Sequence, residues 1–110
     1  MSIDGIPFAA GGRPLLALAY EHLDIGSGSS PLSPSVYDAA GQQEPKCAVV
    51  FVSDGSIRYR ADGTDPTSTT GIPIGIDGSF AVWGSRDIQR IQFTLKTPGK
   101  PASIDVEYLG

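Results

Sequence analysis

Cysteine and histidine are almost absent from this chain, which has one of each in 110 residues: Cys47 and His22. A single thiol cannot form an internal disulfide. One Cys and one His cannot fill a tetrahedral zinc site. Nucleophilic catalysis needs a base beside the nucleophile, yet His22 stands alone and no serine lies in a G-x-S-x-G elbow. The phosphate-cradling pattern G-x-x-x-x-G-K-[ST] is missing as well. Charge is sparse, with 18% Asp, Glu, Lys and Arg and a formal net charge of -4. An acidic chain without a Lys/Arg cluster is a poor ligand for nucleic acid, where phosphate contacts dominate affinity. No apolar run approaches the roughly 20 residues that span a bilayer. The first basic residue is Arg13 and no apolar stretch leads to a cleavage site, so no secretory signal is expected and synthesis is expected in a reducing cytoplasm. The expectation is a non-enzymatic chain with no catalytic residues, cofactor or metal, and with neither a nucleic acid nor a membrane as partner.

Glycine and proline are abundant, at 14 and 9 residues. With many Ser and Thr, they favour turns and strands over helices. Residues 1–14 are Gly- and Pro-rich with scattered apolar side chains, Ile3, Ile6 and Phe8. They suggest an extended arm, either an unstructured tail or an arm whose apolar residues find burial on a neighbouring subunit. Residues 15–110 then form one domain. Leu15–Ile25 fits both a two-turn helix and a strand; the Gly/Ser stop and the β-rich remainder select the strand. Residues 26–46 are loop-like with a short strand over Val36–Ala39, and a loop this long suggests a functional segment or one wrapped on a partner.

The strand signal sharpens from Cys47 onward. Asp54-Gly55 separates two strand-like runs and predicts a type I′ hairpin, in which both central residues need positive φ. The register then sets Val52 opposite Ile57 and Val50 opposite Tyr59, with these four on a core face. Cys47, Val49, Phe51, Arg58 and Arg60 share the other face, a mixture of apolar and cationic side chains that fits a half-covered surface. A second Asp-Gly hairpin is predicted at Asp77-Gly78. In "DIQRIQFTLK", Ile91, Phe93 and Leu95 alternate with polar residues; in "ASIDVEYL", Ile104, Val106 and Tyr108 do so. Both predict strands with one wet face, joined by a "TPGKP" turn. About seven short strands with turns every 8–12 residues predict an all-β fold, a small antiparallel β-sandwich of jelly-roll or immunoglobulin-like type or a small barrel.

Asp62, Asp65, Thr64, Thr67 and Ser68 offer hard oxygen ligands from one loop, but their spacing is not that of an EF-hand, and such residues ordinarily make Asx- and ST-turns. Trp83, Tyr59 and Tyr108 are candidates for a sugar-binding aromatic face, with core filling or a subunit contact as the simpler role. Cys47 reads as a small buried hydrophobe and His22 as structural.

The run "IRYRADGTDPTSTTGIPI" resembles a pattern of small virion proteins of tailed bacteriophages and prophages. It is carried by Arg58, Tyr59, Arg60, Asp62, Gly63, Pro66, Thr67, Gly71 and Pro73, then by Ile91–Phe93 and by Ile104, Val106 and Tyr108. It covers roughly the second half of the chain. The resemblance implies a structural β-domain of a virion, made in the bacterial host cytoplasm. Such a protein would be a capsid decoration or cement protein bound to the major capsid protein, or a head–tail component, acting as a homo-oligomer. A tail- or neck-associated carbohydrate- or receptor-binding module is the alternative. The expected partner interface comprises Phe8, Phe51, Arg58, Arg60 and Trp83. Arg58 and Arg60 have a simpler role open to them, bracing the following loop through Asp62 or Asp65, against direct contact with acidic groups of a partner.

Overall fold

The computed structural model describes residues 15–110; the arm expected over residues 1–14, including Phe8, lies outside the described residues. Eight strands follow in order: β1 (Ala17–Ile25), β2 (Ser30–Pro31), β3 (Cys47–Asp54), β4 (Ile57–Arg60), β5 (Ile72–Ile74), β6 (Ser79–Trp83), β7 (Gln92–Leu95) and β8 (Ala102–Leu109). One helical turn, α1 (Pro34–Tyr37), follows β2, and a short helix, α2 (Ser85–Arg90), follows β6.

The strands form two four-stranded antiparallel sheets of order β1-β8-β3-β6 and β2-β7-β4-β5. β1 pairs with β8, β2 with β7, β3 with β6 and β4 with β5. The β3–β8 and β4–β7 ladders complete the sheets. This is a long hairpin rolled up on itself, so the expected sandwich is of the jelly-roll type. Val50, Val52, Ile104, Val106 and Tyr108 of the first sheet meet Ile57, Phe93 and Leu95 of the second in one buried core. Strand alternation puts them there, since side chains two apart share a face. Leu15–Ile25 is a strand as expected, and the alternation read in "ASIDVEYL" matches the burial of Ala102, Ile104, Val106 and Tyr108.

Neither Asp-Gly pair makes a hairpin. β3 and β4 lie in different sheets, as do β5 and β6, so both turns are corners between layers. Their backbones agree: Gly55 has positive φ but Asp54 does not, and Asp77 has positive φ but Gly78 does not, whereas type I′ needs both. The expected Val52–Ile57 and Val50–Tyr59 pairs therefore do not exist. Val50, Val52 and Ile57 are nevertheless all buried, because each strand turns its apolar side inward wherever its partner is. The single sequential pair is β4–β5, which closes the "RYRADGTDPTSTTG" segment.

Three local expectations are corrected. Val36–Ala39 is not a strand: α1 occupies Pro34–Tyr37, opened by a proline in its first turn, where the missing N–H has no intrahelical partner to lose. The front of "DIQRIQFTLK" is helical, with Ile88 buried and the Ile91 N–H capping the helix on the Asp87 carbonyl; the strand begins at Gln92. Thr94 is buried rather than wet, because residues 26–27 lie over it. Its Oγ1 donates to the Ser27 carbonyl at 3.1 Å, and the Leu95 N–H donates to the Gly26 carbonyl at 3.3 Å. The segment 26–46 thus packs on its own domain. Tyr37 of α1 lies 5.6 Å from the Tyr108 ring.

Candidate functional site

The outer face of the β1-β8-β3-β6 sheet can be drawn from its registers as rows across four strands. Leu109, Cys47 and Trp83 form one row; Tyr20, Glu107, Val49 and Ala81 the next; His22, Asp105, Phe51 and Ser79 the third. The face is divided lengthwise. Apart from Ser79 of β6 and Leu109 of β8, its β3/β6 half is apolar and its β1/β8 half is polar. Cys47, Val49 and Leu109 are buried on this face in a small cluster joined by Leu15. Burial pushes the Cys47 thiol up to about 11, which keeps it protonated and unreactive. Phe51 and Trp83, at 39% and 47% exposure, continue this patch into solvent from rigid strands. Sheet order therefore brings these two expected interface residues onto one face.

The polar half is organised by Asp105. The Tyr20 hydroxyl donates to its Oδ1 at 2.5 Å and His22 Nδ1 at 2.7 Å. The Ser53 and Ser103 hydroxyls pair at 3.0 Å beside it. The hydrogen bond to Asp105 raises the pKa of His22 above its ordinary value of 6.5. The same bonds, Tyr20 first and His22 second, lower that of Asp105. A raised histidine stabilises the fold below pH 6.5, and that contribution is lost as pH rises through the shifted midpoint. A lowered carboxylate stabilises above its ordinary value and loses its effect as pH falls through the shifted one. The pair is therefore strongest between those limits. NMR titration of the His22 ring should give a midpoint above 6.5 that falls back toward it in Asp105→Asn. A midpoint indifferent to that substitution would show that the contact does not hold in solution.

Arg58 and Arg60 are not on this face. They project from β4 on the outer side of the other sheet, so the expected sharing of one face by Phe51 and the two arginines is corrected. The cause is the corner at Gly55, which moves β4 into the opposite layer. Both arginines are engaged within their own loop, in the bracing role. Arg58 donates from Nε to the Ser68 carbonyl and from Nη1 to the Gly71 carbonyl, each at 3.0 Å. Arg60 grips Asp62 with two bonds, at 3.2 and 2.5 Å, and holds that carboxyl down to about 2. Asp62 also accepts the Thr64 N–H at 3.1 Å, an Asx-turn. Thr67 Oγ1 accepts the Thr70 N–H at 3.0 Å in an ST-turn. These bonds engage the side-chain oxygens of Asp62 and Thr67, and among the described residues no three His, Cys, Asp or Glu side chains converge on a metal-sized site.

Between the open edges of the two sheets, β5 and β6, runs a groove. Its wider section, about 720 Å³, is lined by Tyr59, Arg60, Ile72, Asp87 and Arg90. A smaller section of about 390 Å³ continues past Phe80 to Trp83. Tyr59 and Phe80 stack on its floor with ring centroids 4.1 Å apart. Arg90 reaches across from α2 to the Asp62 carbonyl and packs over Gly63, where a Cβ would lie 2.6 Å from its guanidinium. Asp87 and Arg90 were not anticipated, because the stretch that carries them looked like strand; the "GSRD" opening before Ile88 was the signal of a helix start. Tyr20 was missed too, though its i, i+2 spacing from His22 placed both on one strand face.

No protein family, curated protein or solved structure matches the chain.

Proposed function

We propose that the chain is a non-enzymatic structural protein of a bacteriophage virion, a decoration or cement protein that docks on the major capsid shell. One observation carries the reading: Phe51 and Trp83 stand exposed on a single rigid sheet face, continuous with the apolar cluster at Cys47, Val49 and Leu109. Exposed aromatic anchors on fixed strands dominate protein–protein interfaces. Virion-protein resemblance in "IRYRADGTDPTSTTGIPI" adds weight, with its arginines explained as braces of the β4–β5 loop. Jelly rolls serve both as viral capsid and as lectin domains, so the fold is compatible with the proposal but does not select it.

The test is quantitative mass spectrometry of purified virions of the phage encoding the chain, together with co-sedimentation on its empty shells. The wild-type protein should be found at high copy and bind the shells. A Phe51→Ser/Trp83→Ser variant that melts like wild type should stay in the supernatant. Absence of the chain from virions would overturn the proposal.

A second reading, a carbohydrate- or receptor-binding module, is favoured by the groove, where aromatic side chains meet the carboxylate of Asp87 and the guanidiniums of Arg60 and Arg90. It predicts that Trp83 fluorescence changes with saturating saccharide. A flat titration across a glycan panel would remove this reading.

A further inference from the structure

We propose that β6 is a self-pairing edge, through which two copies of this chain join their β1-β8-β3-β6 sheets into one eight-stranded sheet across a twofold axis. An open sheet edge presents unpaired backbone N–H and C=O groups and invites another strand, and proteins ordinarily protect such edges with charge, proline, bulges or shortness. Three of the four edges here are protected. β1 carries Glu21, His22 and Asp24 and an irregularity between Ala17 and Ala19. β2 is two residues long and ends in Pro31; β5 is three residues long with Pro73 at its centre.

β6 has none of these devices. Ser79–Trp83 reads SFAVW: five residues without a charge or a proline, paired to β3 in unbroken register. Its outward backbone groups can be identified. The Val52 N–H donates to the Gly78 carbonyl and the Gly84 N–H to the Lys46 carbonyl. The alternation of an antiparallel ladder then turns the N–H and C=O of Phe80 and Val82 toward β3. Those of Ser79, Ala81 and Trp83 point to the open side, where among the described residues β6 pairs with nothing.

A second copy of β6 is the matching occupant. Antiparallel pairing about a twofold at Ala81 sets Ser79 of each chain opposite Trp83 of the other, so all outward groups are satisfied reciprocally, as an isologous interface requires. No like charges meet across this pairing. The N-terminal segment is a poor substitute: Gly5, Pro7, Gly11, Gly12 and Pro14 leave no run of five residues free of glycine and proline. The twofold would also join the apolar halves of the two outer faces, making one patch with paired Phe51 and Trp83 side chains. The inference stands on the edge itself and does not require the virion reading.

Light scattering and an engineered cross-link test it on the full chain. Wild type should show twice the 11.5 kDa of one chain at tens of micromolar. Ala81→Pro removes an N–H that β3 does not use, a position where an edge strand tolerates proline. It should give single-chain mass with an unchanged melt. Ala81→Lys, which sets two ammonium groups together at the axis, should do the same and serves if the proline variant folds poorly. Ala81→Cys should form an interchain disulfide under mild oxidation, since facing residues of a bonded pair lie about 5.5 Å apart, Cα to Cα. Ser79→Cys should not, being opposite Trp83. A monomeric wild type, or a dimer that survives both Ala81→Pro and Ala81→Lys, would overturn the proposal. So would cross-linking equal at Ser79→Cys and Ala81→Cys.

Discussion

Gly55→Ala is expected to lower stability by about 3 kcal/mol, the upper range for a strained backbone position with a steric clash. Gly55 has φ of +69°, a conformation costly for any residue with a Cβ. An added Cβ would lie 2.4 Å from the Pro101 carbonyl oxygen and 2.9 Å from the Ala102 Cα. Both are backbone atoms at the start of β8, so relief requires moving a strand rather than rotating a side chain. The corner between the two sheets is fastened at this spot. Gly28 is the control: a Cβ there meets nothing within 4 Å, and Gly28→Ala should stay within about 0.5 kcal/mol of wild type. Urea unfolding midpoints at constant m-value measure both. A Gly55→Ala variant as stable as Gly28→Ala would show that the corner is not packed as described.

Tyr108→Phe is expected to cost about 3 kcal/mol, the range for a hydrogen bond to a buried charged group. Glu21, on the inner side of β1, is 7% exposed. It accepts hydrogen bonds from the Tyr108 hydroxyl and from the Ser33 N–H, the latter at 3.2 Å. Removing the hydroxyl leaves the carboxylate in the core with one donor. Glu21→Leu/Tyr108→Phe should recover much of the loss, because an apolar pair leaves no polar group stranded. A double-mutant cycle reads the coupling, and additive losses would show that the two groups do not interact. Burial, then the bond to Glu21, raises the pKa of Tyr108; burial likewise raises those of Tyr37 and Tyr59. A raised phenol stabilises the fold below its unfolded value of 10.0 and loses that contribution as pH rises beyond it. Stability should therefore fall above pH 10, less steeply in Tyr108→Phe.

Side-chain alternation was legible in the sequence and strand partners were not. Period-2 patterning requires only that each strand have a wet and a dry side, so Ile104, Val106 and Tyr108, or Val50 and Val52, could be assigned to a core without knowing what they face. Pairing depends on chain connectivity, and in a jelly roll almost every partner is remote: β1 meets β8 across 85 residues at Tyr20 and Asp105. The Asp-Gly signals misled for the same reason. They report a sharp change of direction, which serves a corner between layers as well as a hairpin.

Of the expected interface, Phe51 and Trp83 could be singled out as large apolar side chains, and only the β3–β6 register put them on one face, Phe51 opposite Ser79 and Trp83 opposite Cys47. The bracing role open to Arg58 and Arg60 was legible because a loop rich in Asp, Thr and Gly offers nearby acceptors; Arg60 takes the expected Asp62, whereas Arg58 takes the Ser68 and Gly71 carbonyls instead of a carboxylate. The separation of both arginines from Phe51 came with the second sheet. The groove was invisible beforehand, since its walls come from β4, β5, β6 and α2 and its charges from a helix that the strand pattern concealed.

By itself the sequence determined a β-rich fold without an internal disulfide, with defined turn positions and an inward and an outward side to its principal strands, because these follow from cysteine count, local backbone preference and hydrophobic alternation. The tertiary structure alone decided the jelly-roll order, the buried Glu21–Tyr108 pair, the two-toned outer face and the unguarded edge of β6. Each of these is a relation between residues far apart in the chain, set by how two sheets close over a single core.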